Sequence, residues 1–179
     1  TPRVRLERPS LRRERDYLQA ALRSRALHRG YVVAASAPRE YRAYLRAARR
    51  ANQESFFVVD APSGELAGVI NINNIVRHAS LSGQLGYYAF VPHAGNGLMR
   101  EGLALVIVRA FRELGLHRLE ANIQPGNRRS IALVEGLGFR REGKARGFLK
   151  IGSRWRDHER WALLKEDWRP RPSHAQARA

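Results

Sequence analysis

The segment YYAFVPHAGNGLMREGLALVIVRAFRELG, residues 87–115, constrains what this chain can fold into more than any other. Residues 87–91 are an apolar run that reads as a strand. Residues 99–114 read as a helix, with Met99, Leu103, Val106, Ile107, Ala110 and Leu114 on its inward face. Between them stand His93-Ala94-Gly95-Asn96-Gly97. Glycine costs backbone entropy, so two at the entry to a good helix mark a tight conformation or a close backbone approach. A helix start also presents N–H groups without an intrahelical acceptor, backed by a partial positive charge. Together these features make an anion site, typically for phosphate. A turn that merely needs glycine has the same local pattern, so the rest of the chain must choose between the two.

The helix is followed by HRLEANIQ, another strand. Strands on both sides of one long helix imply a right-handed β-α-β crossover with the two strands parallel. Upstream, RVRLERP alternates as a first strand. Residues 10–27 read as a helix capped by Ser10, with Leu11, Leu18 and Leu22 inward, and a second helix runs over about 38–52 with Tyr41, Leu45 and Ala48 inward. SFFVVD, ELAGVININNIV and SLSGQLGYYAFV are three successive strands, the first two joined through the turn APSG. Downstream, NRRSIALVEGLG is a short helix ending at Gly138, and FRREGKARGFLKIG with SRWRDHERWALLK forms a closing hairpin. The order β-α-α-β-β-β-α-β-α-β-β predicts one α/β (α+β) domain over residues 1–168. Its sheet is mixed and mostly antiparallel, of about seven strands, with helices on both faces. The glycine loop falls at the carboxyl end of its strand, where ligands of open α/β sheets bind. RPRPSHAQARA, residues 169–179, reads as a loose basic tail.

Composition removes several chemistries. The 179 residues include no cysteine, so thiol nucleophiles, disulfides and cysteine metal sites are excluded. The six histidines show neither HxH nor HExxH spacing, and no metal is expected. No apolar run is long enough to span a bilayer and TPRVRLERPS has no apolar signal core, so a cytoplasmic protein without a membrane partner is expected. The net charge is +17, and residues 1–50 hold fourteen arginines and no lysine against Glu7, Glu14, Asp16 and Glu40. Such a surface draws polyanions such as RNA or ribosomes, and a solvated surface of an arginine-rich proteome would read the same way.

Several motifs in sequence carry a family resemblance. LGYYAFVPHAGNGLMREGL, HRLEANIQPGNRRSIALVEGLGFRREGKA and FLKIGSRWRDHERWALL resemble the GNAT superfamily of acetyltransferases, within it the RimJ/RimL group of ribosomal-protein-alanine N-acetyltransferases. The marks are GxGLM, HR-x-x-AN, N-x-x-S followed by LGF-x-x-EG, and G-x-W-R-D-H, covering about residues 56–168. The resemblance implies a sheet that splays open beside the fourth strand. It implies acetyl-coenzyme A as cosubstrate, its pyrophosphate cradled by the backbone of His93, Ala94, Gly95, Asn96, Gly97, Leu98 and Met99. The pantetheine arm would pair with Ala89-Phe90-Val91, where an N–H polarises the thioester carbonyl. The family often has Gln or Arg where Pro92 stands, and Pro92 has no N–H to offer.

The same resemblance frames the catalytic groups. Many relatives use a Tyr where this chain has Val134. Ser130 is the substitute the RimJ/RimL group suggests for protonating the leaving thiolate, while helix-start chemistry, with Asn127 as the N-cap, explains the same pair. Asn127 can also touch the cofactor arm. The acidic base of relatives falls at Gly147, and Glu142 and Asp157 each have a structural explanation as strand-end charge or as a partner of Arg154 or Arg156. Tyr87 and Tyr88 are adjacent on a strand and face opposite ways. LHRGYV, residues 27–32, stands where relatives often show L-x-P-W at the acceptor pocket, and Trp155, Trp161 and Trp168 are expected to pack the sheet and its end.

The expected reaction is acetylation of a protein N-terminal α-amine, the alanine of a ribosomal protein, by a monomer or homodimer. A peptide α-amine, with a pKa near 8, is about one-tenth neutral at pH 7; a lysine, near 10.4, is neutral in about one molecule in two thousand. A site without a strong base therefore serves an N-terminus better. Acetylation of a polyamine or antibiotic, and a ribosome- or RNA-binding module on a GNAT scaffold that has lost catalysis, are the alternatives.

Overall fold

The structure is a computed structural model that describes residues 2–169. The predicted tail from residue 170 onward lies outside the described residues. Seven strands form one sheet: β1 (Val4–Glu7), β2 (Glu54–Asp60), β3 (Leu66–Val76), β4 (Ser82–Ala89), β5 (Arg118–Ile123), β6 (Arg140–Ile151) and β7 (Arg154–Leu164). Their order across the sheet is β1-β2-β3-β4-β5-β7-β6. All pairs are antiparallel except β4 with β5, as the single long helix between them requires. That helix is α4 (Leu98–Arg112); the others are α1 (Glu14–Arg23), α2 (Arg25–His28), α3 (Pro38–Ala47) and α5 (Arg128–Gly136).

The alternation of β2 creates two cores. Phe56 and Val58 face one side, with Leu103, Val106, Ile107 and Ala110 of α4 and Val134 of α5. Phe57 and Val59 face the other, with Tyr17, Ala20 and Ala21 of α1 and Tyr41 and Leu45 of α3. The first face permits no bulk at Gly102, where a Cβ would lie 2.6 Å from Val58 Cγ2.

The first helix departs from expectation. Residues 11–13 form a 3-10 turn, the α-helix begins at Glu14, and the helical path breaks at Ser24 before α2. Ser10 adopts the extended N-cap backbone but makes no side-chain cap bond. Leu11 and Leu22 are exposed, and only Leu18 of the predicted apolar stripe packs on the core. The buried stripe is Tyr17, Ala20, Ala21, Ser24 and His28, equally well spaced for a helix face. The two stripes differ in what they can bond: Ser24 and His28 carry polar groups that meet backbone at the edge of β4, which leucines could not do. The second predicted helix stops at Ala47, and its Tyr41 and Leu45 are buried as expected. Trp161 is buried and Trp168 packs on the core, but Trp155 is 67% exposed. It stands opposite Lys150 on the closing hairpin, near the turn into β7.

Candidate active site

β4 and β5 pair from Ser82 with Arg118 to Leu85 with Ala121, and no further. Beyond that register the sheet parts, and a cleft of about 840 Å³ opens there. Its floor is Tyr87, Tyr88 and Ala89 of β4. One wall is Leu27, His28, Tyr31 and Val32, and the other is the residue 126–133 stretch that contains the start of α5. Two contacts cross above it: Gln124 Nε2 donates to the Gly30 carbonyl (2.8 Å) and the Tyr31 hydroxyl to the Gly126 carbonyl (3.4 Å).

The glycine loop forms one end of the cleft. Gly95 (φ +87°) and Gly97 (φ +83°) both occupy the left-handed region, and Gly97 is the N-cap of α4. The loop is tightened by Ala94 N–H donating to the Phe90 carbonyl (2.9 Å) and Asn96 N–H to that of His93 (3.3 Å). The N–H groups of Leu98 and Met99 lie in the first turn of α4, where no intrahelical acceptor exists. Glu101, in that same turn, would repel an anion, but Arg3 reaches over from the β1 end and donates to its carboxylate through Nε (2.7 Å). Arg100, Arg128 and Arg129 line the cleft, and no Asp or Glu among the described residues does. Bare glycine backbone, free helix-start N–H groups and three guanidiniums fit a phosphorylated, anionic ligand.

The predicted site residues separate by side chain. Ala89, Ala94, Gly95, Gly97, Met99, Asn127 and Ser130 line the cleft. Phe90 is buried in the core beneath α1 and α3, and its N–H is used in the sheet, donating to the Ala67 carbonyl (2.8 Å). Val91 N–H donates to Ser24 Oγ (3.0 Å). Leu98 points into the core beside α4. His93 Nε2 pairs with Glu65 (2.8 Å), and Asn96 is exposed with its carbonyl accepting from Arg3 (3.3 Å). Backbone direction alternates along a strand, so Phe90 N–H facing β3 leaves both the N–H and the carbonyl of Ala89 facing the gap.

Sequence reasoning missed two partners. Ser130 Oγ and Tyr87 Oη are 2.6 Å apart, and either can donate. Burial pushes the Tyr87 phenol up to about 12, against the lowering effect of the Ser130 hydroxyl, so both groups carry their protons at neutral pH. Asn127 caps α5, accepting from Ser130 N–H through Oδ1 (3.2 Å). On the opposite face Tyr88 meets Tyr17, hydroxyl to hydroxyl at 2.6 Å. The second missed group is His28, whose Nε2 lies 2.7 Å from the Ala89 carbonyl. Its place in the Tyr17-Ala20-Ala21-Ser24-His28 spacing was the available signal. Val134, at the position of the tyrosine many relatives use, is fully buried. The acidic candidates are structural: Glu142 binds Arg118 (2.9 Å through Nη1), and Asp157 accepts from Gly147 N–H (2.9 Å) and pairs with Lys144 (3.1 Å) rather than Arg154 or Arg156.

The splayed strands, the glycine loop and the phosphate-ready helix start agree with comparison to known families: the family described as "Acetyltransferase (GNAT) domain" matches residues 3–140. The chain belongs to the GNAT acetyltransferase family. It is similar to the [Ribosomal protein uS5]-alanine N-acetyltransferase of Escherichia coli (strain K12), 40% identical over 115 residues, and to the Probable N-acetyltransferase YjcK of Bacillus subtilis (strain 168), 38% identical over 112 residues. The aligned parts cover 64% and 63% of this chain but only 59% and 62% of those relatives. Among solved structures, Mycobacterium smegmatis RimJ in complex with CoA-disulfide superposes with a TM-score of 0.84 at 25% identity, over 91% of this chain and 82% of that one. Among the described residues no helix of this GNAT chain is long and apolar enough to cross a membrane.

Proposed function

We propose that this GNAT protein transfers the acetyl group of acetyl-coenzyme A to the N-terminal α-amine of a protein, the alanine of a ribosomal protein. The observation that carries the proposal is the gap between β4 and β5, with the Ala89 N–H facing it and the glycine loop at its end. The backbone of Gly95, Gly97, Leu98 and Met99 would hold the pyrophosphate, assisted by the guanidiniums of the cleft. The Ala89 N–H would stabilise charge developing on the thioester oxygen, where one well-placed donor is worth about 3 kcal/mol. The Ser130–Tyr87 pair would supply the proton that the leaving sulfur takes up.

The lining of the cleft favours this acceptor over a polyamine. Among the described residues no Asp or Glu lines the cleft to receive a polycation, and Arg100, Arg128 and Arg129 are matched to the phosphates of the cosubstrate. A neutral α-amine is also about two hundred times more abundant than a neutral lysine at pH 7. The similarity to the uS5-alanine enzyme and the charge of +17, suited to encounter with a ribosomal particle, support the same choice. The reading carries a cytoplasmic location with it.

The test uses two peptides. One begins with a free alanine, and the other has a blocked N-terminus and a free lysine. Incubation with acetyl-coenzyme A and mass spectrometry should find acetyl on the first and none on the second. Acetyl on the blocked peptide, or on spermidine with none on the free N-terminus, overturns the choice of acceptor. Binding of the cosubstrate without any turnover would instead favour a binding module that has lost catalysis.

A further inference from the structure

Among the described residues no Asp or Glu lines this GNAT cleft to take the amine's proton. The acceptor enters as an ammonium for about nine-tenths of its population at pH 7. Among the described residues His28 is the one histidine lining the cleft. It is 6% exposed, and its Nε2 lies 2.7 Å from the Ala89 carbonyl. A carbonyl only accepts, so Nε2 carries the proton and the neutral ring has its lone pair on Nδ1. Among the described residues the structure gives Nδ1 no hydrogen-bond partner, whereas Ser24, one helical turn earlier, is committed to the Ala20 carbonyl (2.7 Å) and to Val91 N–H. The ring is held edge-on to Tyr88, centroids 5.3 Å apart, and tilted against Phe90 at 5.9 Å.

Position strengthens this chemistry. The N–H and carbonyl of Ala89 point the same way, so the residue that fixes His28 is also the one whose N–H faces the reacting gap. Ser130 stands on the opposite wall, at the start of α5, bonded to Tyr87 of the floor. The titratable and charged groups around His28 are Tyr88 on β4 with Tyr17 behind it on α1, Tyr31 beside it, and the three arginines across the cleft; Arg25 and Arg29 on its own segment are exposed.

We infer that His28 is the general base of this site, taking the proton of the acceptor ammonium onto Nδ1 while its Nε2–H holds the Ala89 carbonyl. The inference rests on the acetyltransferase reading given above. The step balances. R–NH3+ gives one proton to His28 and becomes R–NH2. The nitrogen lone pair forms the C–N bond, and the C–S electron pair leaves with sulfur. Sulfur takes a proton from the hydroxyl pair, and the second proton that nitrogen sheds as the amide forms passes through water to that pair and restores it, so one proton in all is released. His28 then releases its proton to water.

The test is His28→Gln, whose side-chain amide can still donate to the Ala89 carbonyl but cannot accept a proton. The readout is kcat on the alanine peptide at saturation, at pH 7 and pH 9. Without the base, the variant waits for amine that is already neutral. Its rate should be lower by about tenfold at pH 7 and should approach the parent at pH 9, above the amine's ordinary pKa near 8. A deficit of equal size at both pH values reduces His28 to a support for Ala89, and no deficit at pH 7 overturns the inference outright. If H28Q does not fold, His28→Ala with added imidazole reads the same step, with rescue at pH 7 expected and its absence counting against the base. A parent protein that binds coenzyme A yet modifies no peptide overturns the acetyltransferase reading itself, a result separable from the others.

Discussion

Gly97 tests the cofactor loop most directly. Its φ of +83° lies where an L-residue with a Cβ is strained by about 1–2 kcal/mol. A Cβ there would meet only Arg3 Nη2, at 3.2 Å, the movable end of a long side chain. Gly97→Ala should therefore cost little beyond the backbone term, and for a domain of this size the melting temperature should fall by about 2–8 °C. Asn and Asp tolerate the left-handed region better and match each other in shape, so comparing Gly97→Asn with Gly97→Asp isolates the charge. A carboxylate about 6 Å from one phosphate charge, at an effective dielectric of about 20, is repelled by about 3 kcal/mol, and salt reduces this to about 2. The Asp variant should then bind coenzyme A about thirtyfold more weakly than the Asn variant, by calorimetric titration in moderate salt, and about a hundredfold more weakly at low salt. The gap should narrow as salt is added. Equal affinities for the two folded variants would show that no phosphate sits near Gly97, and the loop assignment would fail.

The hydroxyl pair is tested by Ser130→Ala and Tyr87→Phe. Each should lower kcat by about 10- to 1,000-fold with little change in cofactor affinity, and the double variant should be no worse than the poorer single one if the two act as a relay. An unchanged kcat for Ser130→Ala, with chemistry rate-limiting, would leave Ser130 a helix-start residue. At the β1 end, hydrogen bonds from Arg13, helped by Arg5, hold the Glu7 carboxyl down at about 2 against burial. A depressed carboxylate stabilises the fold above its unfolded pKa of about 4.3, and that contribution is lost as the pH falls toward 2. Acid melts of Glu7→Gln should show a flatter loss of stability across that window than the parent, and an identical slope would refute it.

Much of this molecule was legible along the chain because the decisive signals are short-range. Two glycines between an apolar strand and a periodic helix specify the loop, and one helix between two strands specifies their parallel pairing. The period-two pattern of SFFVVD assigns Phe56 and Val58 to one core and Phe57 and Val59 to the other. The Asn127–Ser130 cap spans four residues and could be read as written.

What the sequence could not decide was the rotation of helices about their own axes and the contacts that rotation selects. Residues 11–28 offer two stripes with helical spacing, and hydrophobicity alone favours the leucines. The fold turns the other stripe inward because the splayed edge of β4 exposes backbone groups that need polar partners, which Ser24 and His28 supply. His28 meets Ala89 across 61 positions and Tyr87 meets Ser130 across 43. Nothing local encodes either pair. The same holds for the acidic candidates: Glu142 and Asp157 remain open in the sequence until Arg118, Lys144 and the Gly147 N–H occupy them. Periodicity follows from the geometry of one element, whereas the chemistry of this cleft comes from four segments that only the packed sheet brings together.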